Sequence, residues 1–320
     1  MKNAVLIILT LISFQTKSQT KVWFDTDIMI GMPDKEAREV DDGITLIMAL
    51  KQPQIEIVGI SNITYVDYSY NVIHKILNWH CRGSAIPVFK GSAMANDLGK
   101  ENDGTRALYL ALKKEKLTIL ALGPMTNIAT LVKNHPDIIS QIERIVICAA
   151  RTPDLPFNPG NGKLNVFDYN YEFDTASVNI LLSSIIPLEF AGYEPSSHTH
   201  IGNIDLASLD LSNEADKWLY DIVQPWMELN EKYFGVRGFI PFDCSTLGIV
   251  THPEYFTYYE NIPIKVTYKK NDAILIQPNK LFKNFLEVSY SFNTQKKVKY
   301  AVKALHGFEE KILEALSATK

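Results

Sequence analysis

From Val22 onward, short apolar runs alternate with segments of helical period. Residues 22–24 (VWF), 55–61 (IEIVGIS), 86–89 (IPVF), 117–122 (LTILAL), 142–150 (IERIVICAA) and 187–192 (PLEFAG) read as strands. Residues 42–50, 68–80, 105–114, 126–133 and 174–183 carry helical patterns between them. Strands alternating with helices of about ten residues imply βαβ units. The predicted fold class is therefore α/β: one Rossmann-like domain with a mostly parallel central sheet flanked by helices. Further on, residues 210–235 predict a long helix, residues 255–270 a hairpin or edge strands, and residues 296–316 an amphipathic helix.

Residues 151–172 (RTPDLPFNPGNGKLNVFDYNYE) break the alternation. They are rich in Pro, Gly, Asn and aromatics and have no period. A loop of this length in a compact domain is usually functional. It follows a predicted strand, where open α/β sheets place their sites.

The first twenty residues are unlike the rest. Lys2 precedes an apolar run over residues 4–14 and a polar stretch over 15–19. This is the layout of a secretory signal, and the run is too short to span a bilayer. Residues 1–18 are read as a signal peptide and 19–320 as the mature domain, exported to the periplasm or beyond, with no stable membrane anchor. The whole chain of 320 residues carries 32 basic and 36 acidic side chains, a net charge of −4. Removing residues 1–18 takes away Lys2 and Lys17 and leaves −6. This balance excludes a nucleic-acid coat protein, which needs a basic face. No basic run suggests an anionic membrane surface. Three cysteines cannot form a disulfide scaffold, and Cys148 reads as a buried thiol.

The candidate chemistry follows the first mature strand. Asp25-Thr26-Asp27 stands at its carboxyl end, and Asp41-Asp42 opens the next helix. Four carboxylates brought together repel and raise one another's pKa. A hard divalent cation with oxygen ligands, Ca²⁺ or Mg²⁺, resolves that cost. The plainer reading is a helix N-cap beside unrelated surface acids. No His or Cys stands at ligand spacing, which speaks against zinc. An Asp-x-Asp after a strand also opens phosphotransferases that use an Asp nucleophile.

Three separated segments resemble, in order, the inosine–uridine-type nucleoside hydrolases. They are Asp25-Thr26-Asp27 with Val40-Asp41-Asp42, residues 119–132 (ILALGPMTNIATLV), and Phe167-Asp168-Tyr169-Asn170 leading to Phe173-Asp174. Phe242-Asp243 is similar to a fourth. The resemblance implies a Ca²⁺ held by Asp27, Asp42, Asp243 and the Leu122 carbonyl. It implies Asp41 as general base and Asp25 as support behind the ligands. It implies a small-molecule riboside held by Asp41, Asp243, Asp168, Asn170 and Asn161, with Phe242 and Trp226 against the base. It also implies a homodimer or homotetramer. The activity implied is hydrolysis of the N-glycosidic bond to ribose and free base.

The sequence departs from that pattern in four places. Thirteen residues (28–40) separate the two Asp pairs, more than the family has, and must loop out beside the pocket. Asp34, Glu36 and Glu39 there read as solvated charges. Phe242 replaces a His that protonates the leaving base in many members; stacking by Phe242, Trp226, Tyr233 or Phe234 would take its place. The family's sugar-binding Asn after the second strand is missing, and Asn62 or Asp67 is the nearest substitute. The shorter Asp168 stands for a Glu, which makes room for a modified or larger 5′ group. Two further readings stay open: a sugar- or nucleoside-binding protein that keeps the cage, and an Asp-x-Asp phosphohydrolase.

Overall fold

The apolar runs form strands buried on both faces, as a parallel sheet covered by helices on each side requires. The protein is described by a computed structural model over residues 19–81, 85–161, 164–202 and 205–317. The expected signal peptide, residues 1–18, lies outside these. In chain order the elements are β1 (Thr20–Thr26), α1 (Asp41–Ala49), β2 (Ile55–Asn62), α2 (Val66–His80), β3 (Val88–Phe89), α3 (Asp103–Leu112), β4 (Leu117–Ala121), α4 (Thr126–Asn134) and β5 (Ile142–Ile147). There follow α5 (Tyr169–Glu172), α6 (Thr175–Ser183), β6 (Leu188–Ala191), α7 (Tyr193–Ser196), α8 (Glu214–Phe234) and α9 (Phe242–Thr251). The chain ends with β7 (Phe256–Lys270), β8 (Phe282–Val288), β9 (Lys297–Ala304) and α10 (Phe308–Ser317).

The strands form one sheet in the order β3-β2-β1-β4-β5-β6-β9-β7-β8. All neighbours from β3 to β9 run parallel, and only β7 pairs antiparallel, with β9 and β8. One apolar layer packs α1, α2, α8, α9 and α10 on one face, with Ile44, Ile76, Val223 and Leu247 at its centre. A second packs α3, α4 and α6 on the other, around Leu108, Ile128 and Val178. The strand order reverses between β1 and β4. A crevice therefore opens outside their carboxyl ends, the place where this architecture binds ligands.

One expectation fails at the chain's end, and of the hairpin or edge strands expected over residues 255–270 only the strand reading holds. Residues 296–316 are not one helix: Lys297–Ala304 is β9, and only Phe308–Ser317 is helical. Lys and Ala favour helix, but β9 is an interior strand between β6 and β7, and pairing overrides propensity. Residues 255–270 are not a hairpin. β7 is one long strand that changes partner: Phe256–Pro263 pairs with β9, and Ile264–Lys270 pairs with β8. The turn-like Glu260-Asn261 is an irregularity inside it, with Asn261 at φ +53°. Cys148 and Cys244 are free thiols, and both are buried. No described helix is long and apolar enough to cross a membrane.

Candidate functional site

The reversal point holds a cavity of about 200 Å³. Asp27, Asp41, Asp42 and Asp243 line it, with Leu122. Each comes from a different part of the frame. Asp27 follows β1, Leu122 follows β4, and Asp41 and Asp42 start α1. Asp243 is in the first turn of α9, a helix buried all round from Asp243 to Thr251. Two helix N-termini thus point at one cavity, and their dipoles favour negative charge there.

The backbone is built to bring these groups close. An added Cβ on Gly123 would lie 2.7 Å from Asp27 Oδ1, so the Gly-Pro turn after β4 leaves room for that carboxylate. Asn127, in the same segment, donates to Asp25 Oδ1 at 2.9 Å and to the Asn62 carbonyl at 3.0 Å, and its Oδ1 accepts from Ser92 N at 2.8 Å. Asp25 also accepts from Ser61. It does not line the cavity, and its partners fix the end of β1 beneath it. Burial raises the Asp25 carboxyl to about 7, against the pull of those two donors.

The carboxylates crowd one another. Candidate ligand oxygens of Asp41, Asp42 and Asp243 lie within 4.8 Å of one another. Burial first, and then the charge of Asp42, push Asp27 and Asp243 well above the ordinary carboxyl range. Asp42 is raised by burial and by Asp41, although Thr26 donates to it. Asp41 is raised by burial and held back by backbone N–H groups, among them those of Phe242 and Asp243. No lysine or arginine lines the cavity among the described residues. The clustered carboxylates supply oxygen donors and the excess charge is negative, so the set fits a hard divalent cation, with the Cys148 thiol also in the lining. A phosphoester site would need the basic groups that this wall lacks.

Asp168 caps α5. Its Oδ2 accepts from Ala150 N at 2.8 Å and its Oδ1 from Tyr171 N at 3.2 Å. Burial raises its carboxyl to about 6. Asn170 donates through Nδ2 to the Leu122 carbonyl at 2.7 Å and to the Cys148 carbonyl at 3.0 Å. Both line the cavity, as do Phe242, Trp226 and Phe234. Trp226 and Phe234 sit on α8 with Asn230 between them, at helical spacing i, i+4, i+8. That interval is the signal that marks Asn230 as a wall residue, which the motifs do not reveal.

Other expected contacts are elsewhere. Asn161 is exposed; its backbone N–H bonds the Phe234 carbonyl and its side chain packs on Gly235, outside the cavity lining. Asn165 donates to the Asp272 carbonyl at 3.0 Å. Asn62 is fully buried, and Asp67 pairs with Lys90 at the surface. Tyr233 bonds Glu36 at 2.7 Å on the outside of α8. The segment over residues 28–40 starts in the core, with Ile28 and Ile30 fully buried, and then runs out beside α8. Asp34 and Glu36 are paired surface charges, with Arg38 and Lys232. Glu39 is not merely solvated: it keeps solvent contact yet lines the cavity mouth. Crowding by surrounding atoms, then the charges of Asp41 and Asp42, raise its carboxyl. The unpatterned loop after β5 forms the remaining wall, through Phe157, Val166 and Phe167.

The sequence model of the inosine-uridine preferring nucleoside hydrolases matches residues 22–299. The chain belongs to this family. Among curated relatives, the probable uridine nucleosidase 1 of Oryza sativa subsp. japonica is 25% identical over 256 residues, covering 70% of this chain and 77% of its own. The pyrimidine-specific ribonucleoside hydrolase RihA of Salmonella typhimurium is 25% identical over 254 residues, covering 69% and 79%. Among solved structures, the plant nucleoside hydrolase PpNRh1 superposes with a TM-score of 0.74 at 19% identity, covering 94% of this chain and 100% of that one. The purine-preferring ribonucleoside hydrolase from Gardnerella vaginalis gives 0.70 at 18% identity, covering 94% and 99%. At such identities the structural likeness is one of fold. The nucleoside hydrolases are metal-dependent N-ribohydrolases acting on small-molecule nucleosides, and this chain is an N-ribohydrolase of that family. Asp41, Asp42 and Asp243 form a buried acidic cluster in it.

Proposed function

We propose that the protein hydrolyses the N-glycosidic bond of nucleosides or related ribosides with Asp41 as general base. In this reading a Ca²⁺ is held by Asp27, Asp42, Asp243 and the Leu122 carbonyl. The observation that carries it is the convergence of these groups on one cavity wall without a basic side chain. When bound, the ion would lower the pKa of a water and seat the vicinal hydroxyls of the sugar.

The chain's own residues do the rest. Backbone N–H groups of Phe242 and Asp243 orient the Asp41 carboxyl, which takes a proton from the attacking water. The surrounding carboxylates stabilise the positive charge that develops on the ribose as the glycosidic bond breaks. Phe242 cannot transfer a proton, so the leaving base is held by stacking on Phe242, Trp226 and Phe234 instead. Residues 1–18 direct export in this reading, and the family resemblance supports a homodimer or homotetramer.

Ribose and base release from a panel of purine and pyrimidine nucleosides, with Ca²⁺ and the purified protein, tests the reading. Release abolished by chelation supports it. A protein that binds Ca²⁺ and nucleosides but releases nothing is a binding protein, and the reading fails.

A further inference from the structure

Behind the cavity wall stands a buried arginine that pairs with none of the cage carboxylates. Arg151 is 3% exposed and lies outside the cavity lining. Ala150, at φ +75°, turns the chain off β5 through the left-handed region, a conformation that costs free energy in residues other than glycine. The Arg151 backbone then meets β8. Its N–H donates to the Leu286 carbonyl at 3.2 Å, and its carbonyl accepts from Val288 N–H at 3.0 Å. The side chain is thereby fixed at the root of the unpatterned loop.

Nη1 of its guanidinium donates to the Leu155 carbonyl at 2.8 Å and to Asp272 Oδ2 at 2.6 Å. The guanidinium carbon lies 4.7 Å from the ring centre of Phe157 and 4.4 Å from that of Phe285, both within cation–π range. Burying a permanent charge is costly, and a well-packed apolar side chain of like volume often serves stability as well. Stability alone therefore does not account for an arginine here. A planar face that stacks on a ring while its edge holds the loop does, and a lysine ammonium offers no such face.

Ring contacts lead from this group to the cavity. Phe157 stacks on Tyr193 with centres 4.6 Å apart and 18° between planes, and Tyr193 lies 6.2 Å from Phe242. Both distances fall where aromatic pairs attract. The Tyr193 hydroxyl is tied to the same loop: it accepts from Asn158 N–H at 3.0 Å and donates to the Asn158 carbonyl. Phe157, Tyr193 and Phe242 all line the cavity. We propose that Arg151 is a positioning residue that sets the Phe157–Tyr193–Phe242 row, and so governs recognition of the leaving base without touching it. The inference rests on the stacking role proposed for Phe242.

The test compares the Ca²⁺-loaded parent with Arg151→Met and Arg151→Lys, each checked for folding by thermal unfolding. Arg151→Met leaves Asp272 its contact with Lys283 at 3.4 Å, so that carboxylate keeps a partner. Arg151→Lys keeps the charge and loses the planar face. Two quantities are read: kcat/KM for inosine and uridine, and the inhibition constant of free ribose, which carries no base to meet the ring row. The expected result is a fall of about tenfold or more in kcat/KM, the scale of part of a base-stacking contact, with the ribose constant within about twofold. Should Arg151→Met fail to fold, Arg151→Lys decides. Ribose weakened as much as the nucleosides, unchanged kcat/KM in a folded variant, or failure of both variants to fold would each overturn the proposal and leave the hydrolase reading intact. A parent that hydrolyses neither nucleoside would remove the reading on which the proposal rests, and the proposal with it.

Discussion

The crowded carboxylates make a sharp prediction about the metal-free protein: it should lose stability as pH rises from about 5 to 7.5. Asp25 shows the sign and the size. Its carboxyl has an ordinary pKa of 3.8 and is raised to about 7 in the fold, chiefly by burial. Between those values the folded chain holds a proton that the unfolded chain has released. The fold is therefore favoured below pH 4 and progressively loses that advantage as pH climbs to 7. For Asp25 alone the loss is up to about 4 kcal/mol. Asp27, Asp42 and Asp243 are raised too, so they add in the same sense. A divalent cation favours the ionised carboxylates and should reverse the trend. At a hundredfold excess over Kd it contributes about 2.7 kcal/mol. Thermal unfolding at pH 5 and pH 7.5, with chelator or with Ca²⁺, measures both effects. The expected result is a Tm lower at pH 7.5 than at pH 5 in chelator, and raised by Ca²⁺ at pH 7.5. A chelated protein whose Tm rises over this interval, and that Ca²⁺ leaves unmoved, would refute the reasoning.

Three other outcomes follow from single contacts. Gly123→Ala would press a methyl group against Asp27 Oδ1 and should cost about 1–3 kcal/mol, with weaker Ca²⁺ binding by calorimetry. Phe242→His restores an ionisable group beside Asp243; a new acidic limb in the pH profile of kcat, with faster release of poor leaving bases, is the expected result. Lys283→Met strands the buried Glu172 carboxylate, its 2.5 Å partner, and should destabilise the fold by about 3–5 kcal/mol in denaturant unfolding.

Much of this architecture is legible in the sequence because the first six strands are apolar runs separated by helices of ordinary length. Asp25-Thr26-Asp27 lies at the end of β1 and the Gly-Pro turn follows β4, while the family resemblance is what points to the remaining cavity residues. Asp27, Asp41, Asp42, Asp243 and Leu122 do meet at one cavity. What the sequence hides depends on pairing at a distance. β9 has helix-favouring lysines and alanines, and nothing local says that it will lie between β6 and β7. β7 carries a turn-like dipeptide that the sheet absorbs as an irregularity. The outer wall is hidden for the same reason. Ile276 comes from the β7–β8 connection and Tyr193 from the turn after β6, and neither belongs to a motif. Asn161 shows the reverse error, since a polar residue near the right motif faces away from the cavity.

The central claim is that Asp41 takes a proton from water at a Ca²⁺-loaded carboxylate cage. The most direct measurement is ribose release by Asp41→Asn beside the parent protein, with Ca²⁺ occupancy determined for both. The account predicts that the variant keeps the metal and loses about 10² or more in kcat. Unchanged kcat with the metal bound would contradict it.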